Sequence, residues 1–182
     1  DRVFFVMQHD KGSGTQKFIL SEMDSEYNLD FSDKFTGTAG VFGVSSHFAN
    51  GAVVDVVNGT DYLGSFTVAG GNVDVSAVQK ITSAEIGYSF NVEAETLPVD
   101  AQVVGGPLTG QPRAINRVIL DLNSTLSVSV NGTALVIRQV NSDFSTARVP
   151  VTGKEEFRLL GYSTDPTVKI TQISPLALQI NG

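Results

Sequence analysis

The chain has 182 residues and a net charge of −7; 41% of its residues are hydrophobic and 17% are charged, which indicates a globular rather than a disordered protein. It has no cysteine, which excludes a disulfide framework and thiolate metal sites and fits synthesis in a reducing cytosol. No apolar run approaches the roughly 20 residues of a membrane helix, and no signal segment opens the chain, so no membrane partner is predicted.

The charge differs between the two halves. Residues 1–100 carry 14 Asp and Glu against 5 Lys and Arg, a net −9, and residues 101–182 carry 5 against 7, a net +2. Because an acidic surface repels phosphates, tight binding of nucleic acid is not expected. The seven basic residues of the second half are scattered over several predicted strands and loops: Arg113, Arg117, Arg138, Arg148, Lys154, Arg158 and Lys169.

Residues 1–36 are predicted to form a strand pair followed by an acidic connection. Residues 2–8 have a continuous apolar core, a polar loop follows, and residues 16–23 return as the second strand. The abrupt strand-like start and the turn signal at residues 181–182 with no strand after it predict that the chain is a fragment of a longer protein.

A β-hairpin module is predicted over residues 37–97. Its first hairpin is predicted from the turn signal Asn58-Gly59. This dipeptide suits a type I′ turn, whose two central residues both need φ > 0. Counting outward from it pairs Val56 with Asp61 and Val54 with Leu63, which places apolar residues on one face and polar residues on the other.

A second turn signal, Gly70-Gly71, predicts another hairpin in the same module. It pairs Val68 with Val73 and Phe66 with Val75, again with an apolar face. The predicted core of the module is Val54, Val56, Leu63, Phe66, Val68, Val73 and Val75.

Residues 81–97 are predicted as the next extended piece, with a face of small residues able to lie against another chain or sheet. Residues 98–112 hold three prolines and three glycines, which predicts a linker or long loop and a domain boundary. The sign of the net charge also changes across this segment.

A second β module is predicted over residues 113–182. Apolar residues alternate along residues 117–122, and Asn131-Gly132 predicts a type I′ hairpin that pairs Ser129 with Ala134, Val128 with Leu135 and Leu126 with Ile137. Further strands are predicted at residues 155–160, 167–173 and 176–180. The fold class is therefore all-β, with short antiparallel strands and hairpins forming two small β-sandwich or barrel-like units.

Two patterns are compatible with metal sites, but a structural interpretation is preferred for each. His9 and His47 are the only histidines, and because no other ligand spacing surrounds them, exposed loop histidines are the preferred interpretation. Alternating oxygens in residues 24–30 resemble a calcium loop, but Leu29 stands where such a loop needs glycine and Phe35 where it needs a bidentate Glu. The alternating oxygens are Asp24, Glu26, Asn28 and Asp30.

No catalytic, cofactor-binding or metal-binding residue is predicted, and no cofactor. Glu93 and Glu95 share a strand face and could do acid–base work on a glycoside, but a solubilising role is preferred. No Gly-x-Ser-x-Gly motif is present. Three Asn-x-Ser/Thr sequences match glycosylation acceptors, and turn chemistry explains two of them. These begin at Asn58, Asn123 and Asn131.

The order of these features resembles that of podovirus tail nozzle proteins, the tail tubular protein B or tail stabilisation-type family. RVFFVMQ, QKFILSEMD and DSEYNLDFSD resemble the segment that leaves their propeller-like region, and GVSSHFANGAVVDVVNGTDYLGSFTVAGGNVDV resembles their small β module. SAEIGYSFNVEAETLPVD, RAINRVILDLNSTLSVSVNG and VTGKEEFRLLGYSTDPTVKITQISPLALQING resemble the strands that follow. Family members are much longer, so the propeller would lie outside this chain.

The resemblance implies a structural virion protein of the tail, assembled in the bacterial cytoplasm and not an enzyme. Such proteins form a homo-oligomeric ring, typically a hexamer, with other tail proteins, and the genome passes through its lumen without tight binding. The alternative is a non-enzymatic β-sandwich binding module, an adhesin or a carbohydrate-binding domain. An acidic glycosidase is the least favoured hypothesis.

Overall fold

The computed structural model describes residues 3–10, 16–24, 26–98, 102–103, 106–107, 110–138 and 146–181. Within these ranges all strand pairs are antiparallel and no helix is present, which confirms the all-β prediction. The described residues contain no helix that is long and apolar enough to cross a membrane. The chain divides into two compact units, Asp1–Phe90 and Asn91–Gly182.

The first unit contains a two-stranded ribbon and a six-stranded sheet. Strands β1 and β2 form the ribbon, and the sheet has the order β6-β5-β8-β3-β4-β7. The strands are β1 (Val3–Asp10), β2 (Gln16–Met23), β3 (Asp30–Thr38), β4 (Val41–Gly43), β5 (Val53–Asn58), β6 (Asp61–Thr67), β7 (Asn72–Asp74) and β8 (Ser83–Tyr88). The strand pair predicted for the N-terminal segment is therefore present as β1 and β2.

The core of the first unit lies on one face of the six-stranded sheet. Alternate residues of β5 and β8 point into it, as the period of two along a strand requires. Five of the seven predicted core residues are buried, and Leu63 and Phe66 are half-buried against the same cluster. The buried cluster is Phe35, Phe42, Val44, Phe48, Val54, Val56, Val68, Val73, Val75, Ala84 and Ile86.

The register predicted from Asn58-Gly59 is wrong. Asn58 pairs with Asp61, so Gly59 and Thr60 are the central turn residues, and of these only Gly59 has φ > 0 (+60°), as a type II′ turn requires. Farther along, a β-bulge leaves Leu63 without a partner residue across the ladder, because Gly64 adopts φ +116° beside it. These shifts pair Val54 with Phe66 instead of Leu63, and Val56 with Gly64 instead of Asp61.

The second predicted hairpin is correct at its turn and wrong beyond it. Gly70 and Gly71 both have φ > 0, and Ala69 and Asn72 exchange two backbone hydrogen bonds across them. The predicted pairs of Val68 and Phe66 with residues 73 and 75 do not form, because β7 leaves the hairpin and pairs with β4. The turn therefore connects two parts of the sheet rather than extending one hairpin.

The second unit contains a three-stranded sheet of order β15-β12-β17, a four-stranded sheet of order β14-β13-β16-β9 and the short pair β10-β11. Its strands are β9 (Glu93–Glu95), β10 (Gln102–Val103), β11 (Gly106–Pro107), β12 (Arg117–Thr125), β13 (Ser129–Val130), β14 (Thr133–Ala134), β15 (Val151–Arg158), β16 (Lys169–Thr171) and β17 (Ile180–Asn181). Its buried cluster is Leu120, Leu122, Val128, Val130, Phe157, Leu159 and Val168.

The Asn131-Gly132 hairpin is confirmed over its first residues. Both turn residues have φ > 0, Ser129 pairs with Ala134, and the Leu135 amide donates to the Val128 carbonyl at 2.9 Å. The predicted pair of residues 126 and 137 does not form, since the Leu126 amide donates to the Ala177 carbonyl instead. The hairpin is therefore short, and residues near the chain's end take over the pairing.

The two units divide between Phe90 and Asn91, ahead of the predicted linker at residues 98–112. The reason is that β9 pairs with β16, so the extended piece predicted over residues 81–97 is split between the units. Within the predicted linker, β10 and β11 form a short antiparallel pair.

Candidate functional site

The ribbon of β1 and β2 presents large apolar side chains on both faces. Directly opposed residues of an antiparallel pair lie on the same face, so the register places Phe4, Val6, Phe18 and Leu20 on one face, where Val6 opposes Leu20, Glu22 opposes Phe4 and Gln8 opposes Phe18. We call these four residues the outer ribbon face. Their exposed fractions are 52%, 71%, 74% and 69%. Nothing among the described residues covers this face, and single exposed apolar residues are common whereas a contiguous group is not.

The opposite face of the ribbon lines a groove of about 790 Å³ within the first unit. Met7, Ile19 and Ser21 are half-buried there, opposite residues of the segment that leads into β3. This volume lies within the range of about 300–1,000 Å³ that is typical of binding pockets. Leu20, from the outer ribbon face, and Glu22, on the same side of the ribbon, also line the groove. The remaining lining residues are Phe5, Met23, Asp24, Tyr27, Leu29, Asp30, Phe31, Ser32, Asp33, His47 and Phe90.

An aromatic cluster adjoins the groove, which two of its members, Phe31 and His47, line. Phe31 stacks on Tyr88 with ring centroids 6.2 Å apart and meets Phe48 edge to face at 5.8 Å. Phe31 has φ +48°, in the left-handed region that a bulky residue rarely adopts. A bulge between Asp30 and Asp33 accompanies this conformation. The strained backbone thus aims the ring at Tyr88 and the groove together.

His47 belongs to this cluster rather than to a free loop. Its ring lies 5.1 Å from the Phe35 ring in an edge-on arrangement, and its Nε2 is 3.5 Å from Asp33 Oδ2. Ser46 Oγ lies 2.8 Å from its Nδ1. The interpretation of His47 as an exposed loop residue is therefore corrected, because its side chain is only 33% exposed. The side chain of His9, the other histidine of the chain, lies outside the described part of the structure.

Among the described residues, no group of three or more His, Asp or Glu is arranged to hold a metal ion. Within the calcium-like stretch, Asp24 Oδ1 accepts from the Glu26 amide and Asp30 Oδ1 accepts from the Phe31 amide. Asn28 donates its backbone and side-chain N–H groups to Glu85. The Asp24 and Asp30 carboxylates therefore accept from nearby backbone amides, whereas Asn28 joins this segment to Glu85 on β8.

Four carboxylates rim the groove: Glu22, Asp24, Asp30 and Asp33. Its described lining includes no Lys or Arg. The nearby Lys34 turns to Glu26 at 3.9 Å and lies over the Tyr27 ring at 5.1 Å. The groove therefore combines an apolar floor with a negatively charged rim, which favours a ligand that carries both an apolar group and a positive charge.

Two buried carboxylates were not anticipated from the sequence. Asp55 on β5 accepts from Tyr62 Oη at 2.5 Å, from Ser65 Oγ at 2.6 Å and from the Ser89 amide at 3.2 Å. Burial raises the pKa of Asp55, but these hydrogen bonds outweigh it and hold the pKa below its usual value. Burial and then Asp55 raise the pKa of Tyr62. Asp55 therefore ties β6 and the end of β8 to β5.

Glu85 on β8 is the second buried carboxylate. Its Oε1 accepts from the backbone amides of Asn28 and Leu29 at 2.7 and 2.8 Å. In the sequence, Asp55 and Glu85 stand out only as charged residues within apolar strands. Their hydrogen-bond partners lie up to 57 residues away in the chain, so the sequence does not reveal them. Both buried carboxylates are therefore satisfied by hydrogen-bond donors from their own unit, as buried charged groups require.

Glu93 and Glu95, the paired acids of the sequence analysis, fasten β9 to β16. Glu93 Oε1 is 2.8 Å from Lys169 Nζ, and the hydrogen bond and charge of Glu93 raise the pKa of Lys169. Glu95 accepts from Thr167 Oγ1 at 2.6 Å. The two carboxylates thus engage separate partners on the neighbouring strand.

The glycosylation-like sequences lie on the surface of turns and strand ends. Asn131 accepts from the Lys169 amide at 2.6 Å and donates to the Thr167 carbonyl at 3.2 Å, so its amide joins the hairpin to β16. Asn123 donates to the Gln179 side chain at 3.1 Å. Asn131 therefore has a structural role in its turn, and Asn123 has one within β12.

A smaller pocket of about 320 Å³ lies in the second unit. Arg138 and Arg148 flank an apolar floor that includes Leu126 and Val128. The Arg138 guanidinium donates to the Thr146 carbonyl, so it holds the adjacent backbone in place.

Comparison of the chain with protein-family models and with curated proteins found no match.

Proposed function

We propose that this chain is a structural, non-enzymatic component of a bacteriophage tail, part of the nozzle or tube through which the genome is ejected. The observation that carries the proposal is the outer ribbon face, a group of exposed apolar side chains on a two-stranded ribbon. An isolated hairpin is marginally stable in water and needs a further strand or a packed face to persist. A ribbon of this kind is therefore suited to assembly with another protein surface.

The size of the ribbon limits what it can do by itself. Eight residues per strand at about 3.3 Å each give a length of about 26 Å, and two strands about 4.8 Å apart give a width near 10 Å. One face then offers on the order of 300 Å², below the roughly 800 Å² per partner of a standard interface. The ribbon is therefore one element of a larger assembly interface.

The assignment to a phage tail rests on the resemblance of the chain to tail nozzle proteins and on its charge. A ring built from these subunits would contain a lumen for the genome, and other tail proteins would flank it. The net −9 of residues 1–100 disfavours phosphate binding, which suits a conduit wall that must release DNA.

The assembly part of the proposal is tested by native mass spectrometry and negative-stain electron microscopy of the purified chain. We expect oligomers, including rings, that the double variant Val6→Ser/Phe18→Ser abolishes. Val78→Ser, at a position 58% exposed in the same unit, is the matched control and should leave the oligomers intact. A wild-type chain that stays monomeric at every concentration, or a double variant that assembles normally, would refute the role of the ribbon.

The conduit part is tested by fluorescence polarisation with duplex DNA. We expect no appreciable binding at physiological salt, because affinity from phosphate contacts grows with the number of clustered Lys and Arg. Micromolar, salt-sensitive binding would contradict a passive wall and would indicate a protein that holds nucleic acid.

The groove supports a second candidate, a non-enzymatic binding module of the adhesin or carbohydrate-binding type. Rings such as Tyr27, Phe31 and Phe90 beside carboxylates could stack on a sugar and accept from its hydroxyls. The chain has no tryptophan for such stacking. Specific signals on a glycan array that are lost on Phe31→Ala would favour this candidate over the tail component.

A further inference from the structure

An ordered loop at the end of β15 carries side chains that the second unit leaves exposed. Leu160 and Tyr162 are 101% and 82% exposed, and the Arg158 side chain is 87% exposed. We call these three residues the knob. They combine a guanidinium whose Nε lies 3.3 Å from Glu156 Oε1, an aliphatic group and an aromatic ring within five consecutive positions.

Backbone hydrogen bonds flank the knob on both sides. Leu159, between Arg158 and Leu160, is buried in the core of the second unit, and its amide donates to the Asn116 carbonyl at 3.0 Å. On the other side, Ser163 and Arg113 exchange two backbone hydrogen bonds of 2.8 Å. The fully exposed Leu160 side chain buries no surface against its own unit, although the backbone on both sides of it is hydrogen-bonded. A preorganised apolar group loses little entropy on binding.

The groove of the first unit has the complementary chemistry. Its floor is apolar and aromatic, with Ile19 and Phe31 among its residues, and its rim carries carboxylates such as Asp30. A leucine fits the floor, a tyrosine ring fits the aromatic cluster, and an arginine fits the carboxylates. The two halves of the chain also carry opposite net charge, −9 for residues 1–100 and +2 for residues 101–182.

We propose that the groove of one copy of this chain receives the knob of the next copy. The proposal rests on the self-assembly in the proposed function and names the surfaces that make one of its contacts. Because groove and knob are different surfaces, the contact is head-to-tail, and such contacts close into rings when the rotation between copies allows it. Three side chains form a small contact, so a single contact is weak and repetition around a ring strengthens it.

The test uses two variants of the full chain and sedimentation velocity over a series of concentrations. Leu160→Asp removes the knob, and Ile19→Lys/Asp30→Lys reverses the chemistry of the groove. We expect each variant alone to self-associate about tenfold or more weakly than the wild type, as interface anchors do on loss. Val136→Asp, at a position 74% exposed in the second unit, is the matched control and should associate like the wild type.

Mixing the two variants gives the decisive measurement. The knob variant keeps an intact groove and the groove variant keeps an intact knob, so their mixture should form one-to-one heterodimers that neither forms alone. Circular dichroism shows that each variant is folded before mixing. A mixture without heterodimers, or a Leu160→Asp chain that associates like the wild type, would overturn the proposal.

These outcomes are distinct from those of the ribbon experiment. If oligomers persist in Leu160→Asp but vanish in Val6→Ser/Phe18→Ser, the head-to-tail contact is wrong and the assembly role stands. If the wild-type chain forms no oligomer and the variant mixture forms no heterodimer, both proposals are wrong.

Discussion

Phe42→Ala is expected to destabilise the first unit strongly. Phe42 is fully buried at 0% exposure on β4, within the cluster that also holds Val54 and Ile86. Removing its ring leaves a cavity that the surrounding strands cannot close without distorting their hydrogen-bonded ladders.

The magnitude follows from the burial. An aromatic side chain buries about 150–250 Å², and at about 25 cal/mol per Å² the lower value corresponds to about 4 kcal/mol. Phe→Ala substitutions in cores cost about 3–5 kcal/mol when the cavity is included. A unit of about 90 residues has a total stability of about 5–13 kcal/mol, so this one change removes about a quarter of it or more.

Urea unfolding followed by circular dichroism measures the effect. With a slope of about 2 kcal/mol per M, the midpoint of the first unit should fall by roughly 2 M. Hydrogen exchange should show loss of protection in β5 and β8 while the second unit keeps its protection. Phe66→Ala, at a half-buried position, should cost less, and Phe18→Ala, at a position 74% exposed, should cost almost nothing. Equal midpoints for Phe42→Ala and Phe18→Ala would refute the placement of Phe42 in the core.

Three further outcomes are expected. Gly87→Ala should cost about 1–3 kcal/mol, because its methyl carbon would stand 2.5 Å from Ser32 Cβ and 2.8 Å from the Asp30 carbonyl oxygen; an unchanged urea midpoint would contradict this close packing. Asp55→Asn should lower the free energy of unfolding most at pH values above the ordinary carboxyl pKa of about 4. Because the folded pKa of Asp55 is lowered, the stability that its carboxylate contributes is lost as the pH falls through that pKa. The difference between wild type and variant should therefore stay constant from about pH 7 to pH 5 and shrink as the pH falls below about 4, and a difference in urea midpoints that does not change below about pH 4 would argue against the role of the charge. Calcium or a chelator should leave the melting temperature unchanged, because the Asp24 stretch engages its own backbone; a rise of several degrees on calcium addition would point to a site there.

Local chemistry predicted some features of the fold well, and distant contacts account for the rest. The turns at Gly70-Gly71 and Asn131-Gly132 were predictable because a type I′ turn depends on the two residues that form it. The turn at Asn58-Gly59 was misplaced by one residue because Gly59 and Thr60 form the turn, and the bulge at Leu63 shifts the register again farther along β6. The unit boundary was placed late because β9 pairs with a strand more than seventy residues away.

The candidate site was less predictable than the fold. The groove joins residues from the ribbon, from the segment before β3, from His47 and from Phe90. No spacing in the sequence connects these segments, since only the folded chain brings them to one place. The alternation of residues 117–122 could be read from the sequence, whereas the full exposure of Leu160 beside a buried Leu159 could not.

The position of β8 in its sheet has a consequence for the order of folding. This strand pairs with β3 on one side and β5 on the other, although it follows both in the chain. During synthesis, β3 can pair with β4 and β5 with β6, but the strand that joins β3 to β5 is missing until residues 83–88 leave the ribosome. Long-range pairing of this kind slows folding and leaves apolar edges open for longer. The nascent first unit should therefore depend on chaperones until Tyr88 has emerged, and a truncation before that residue should aggregate.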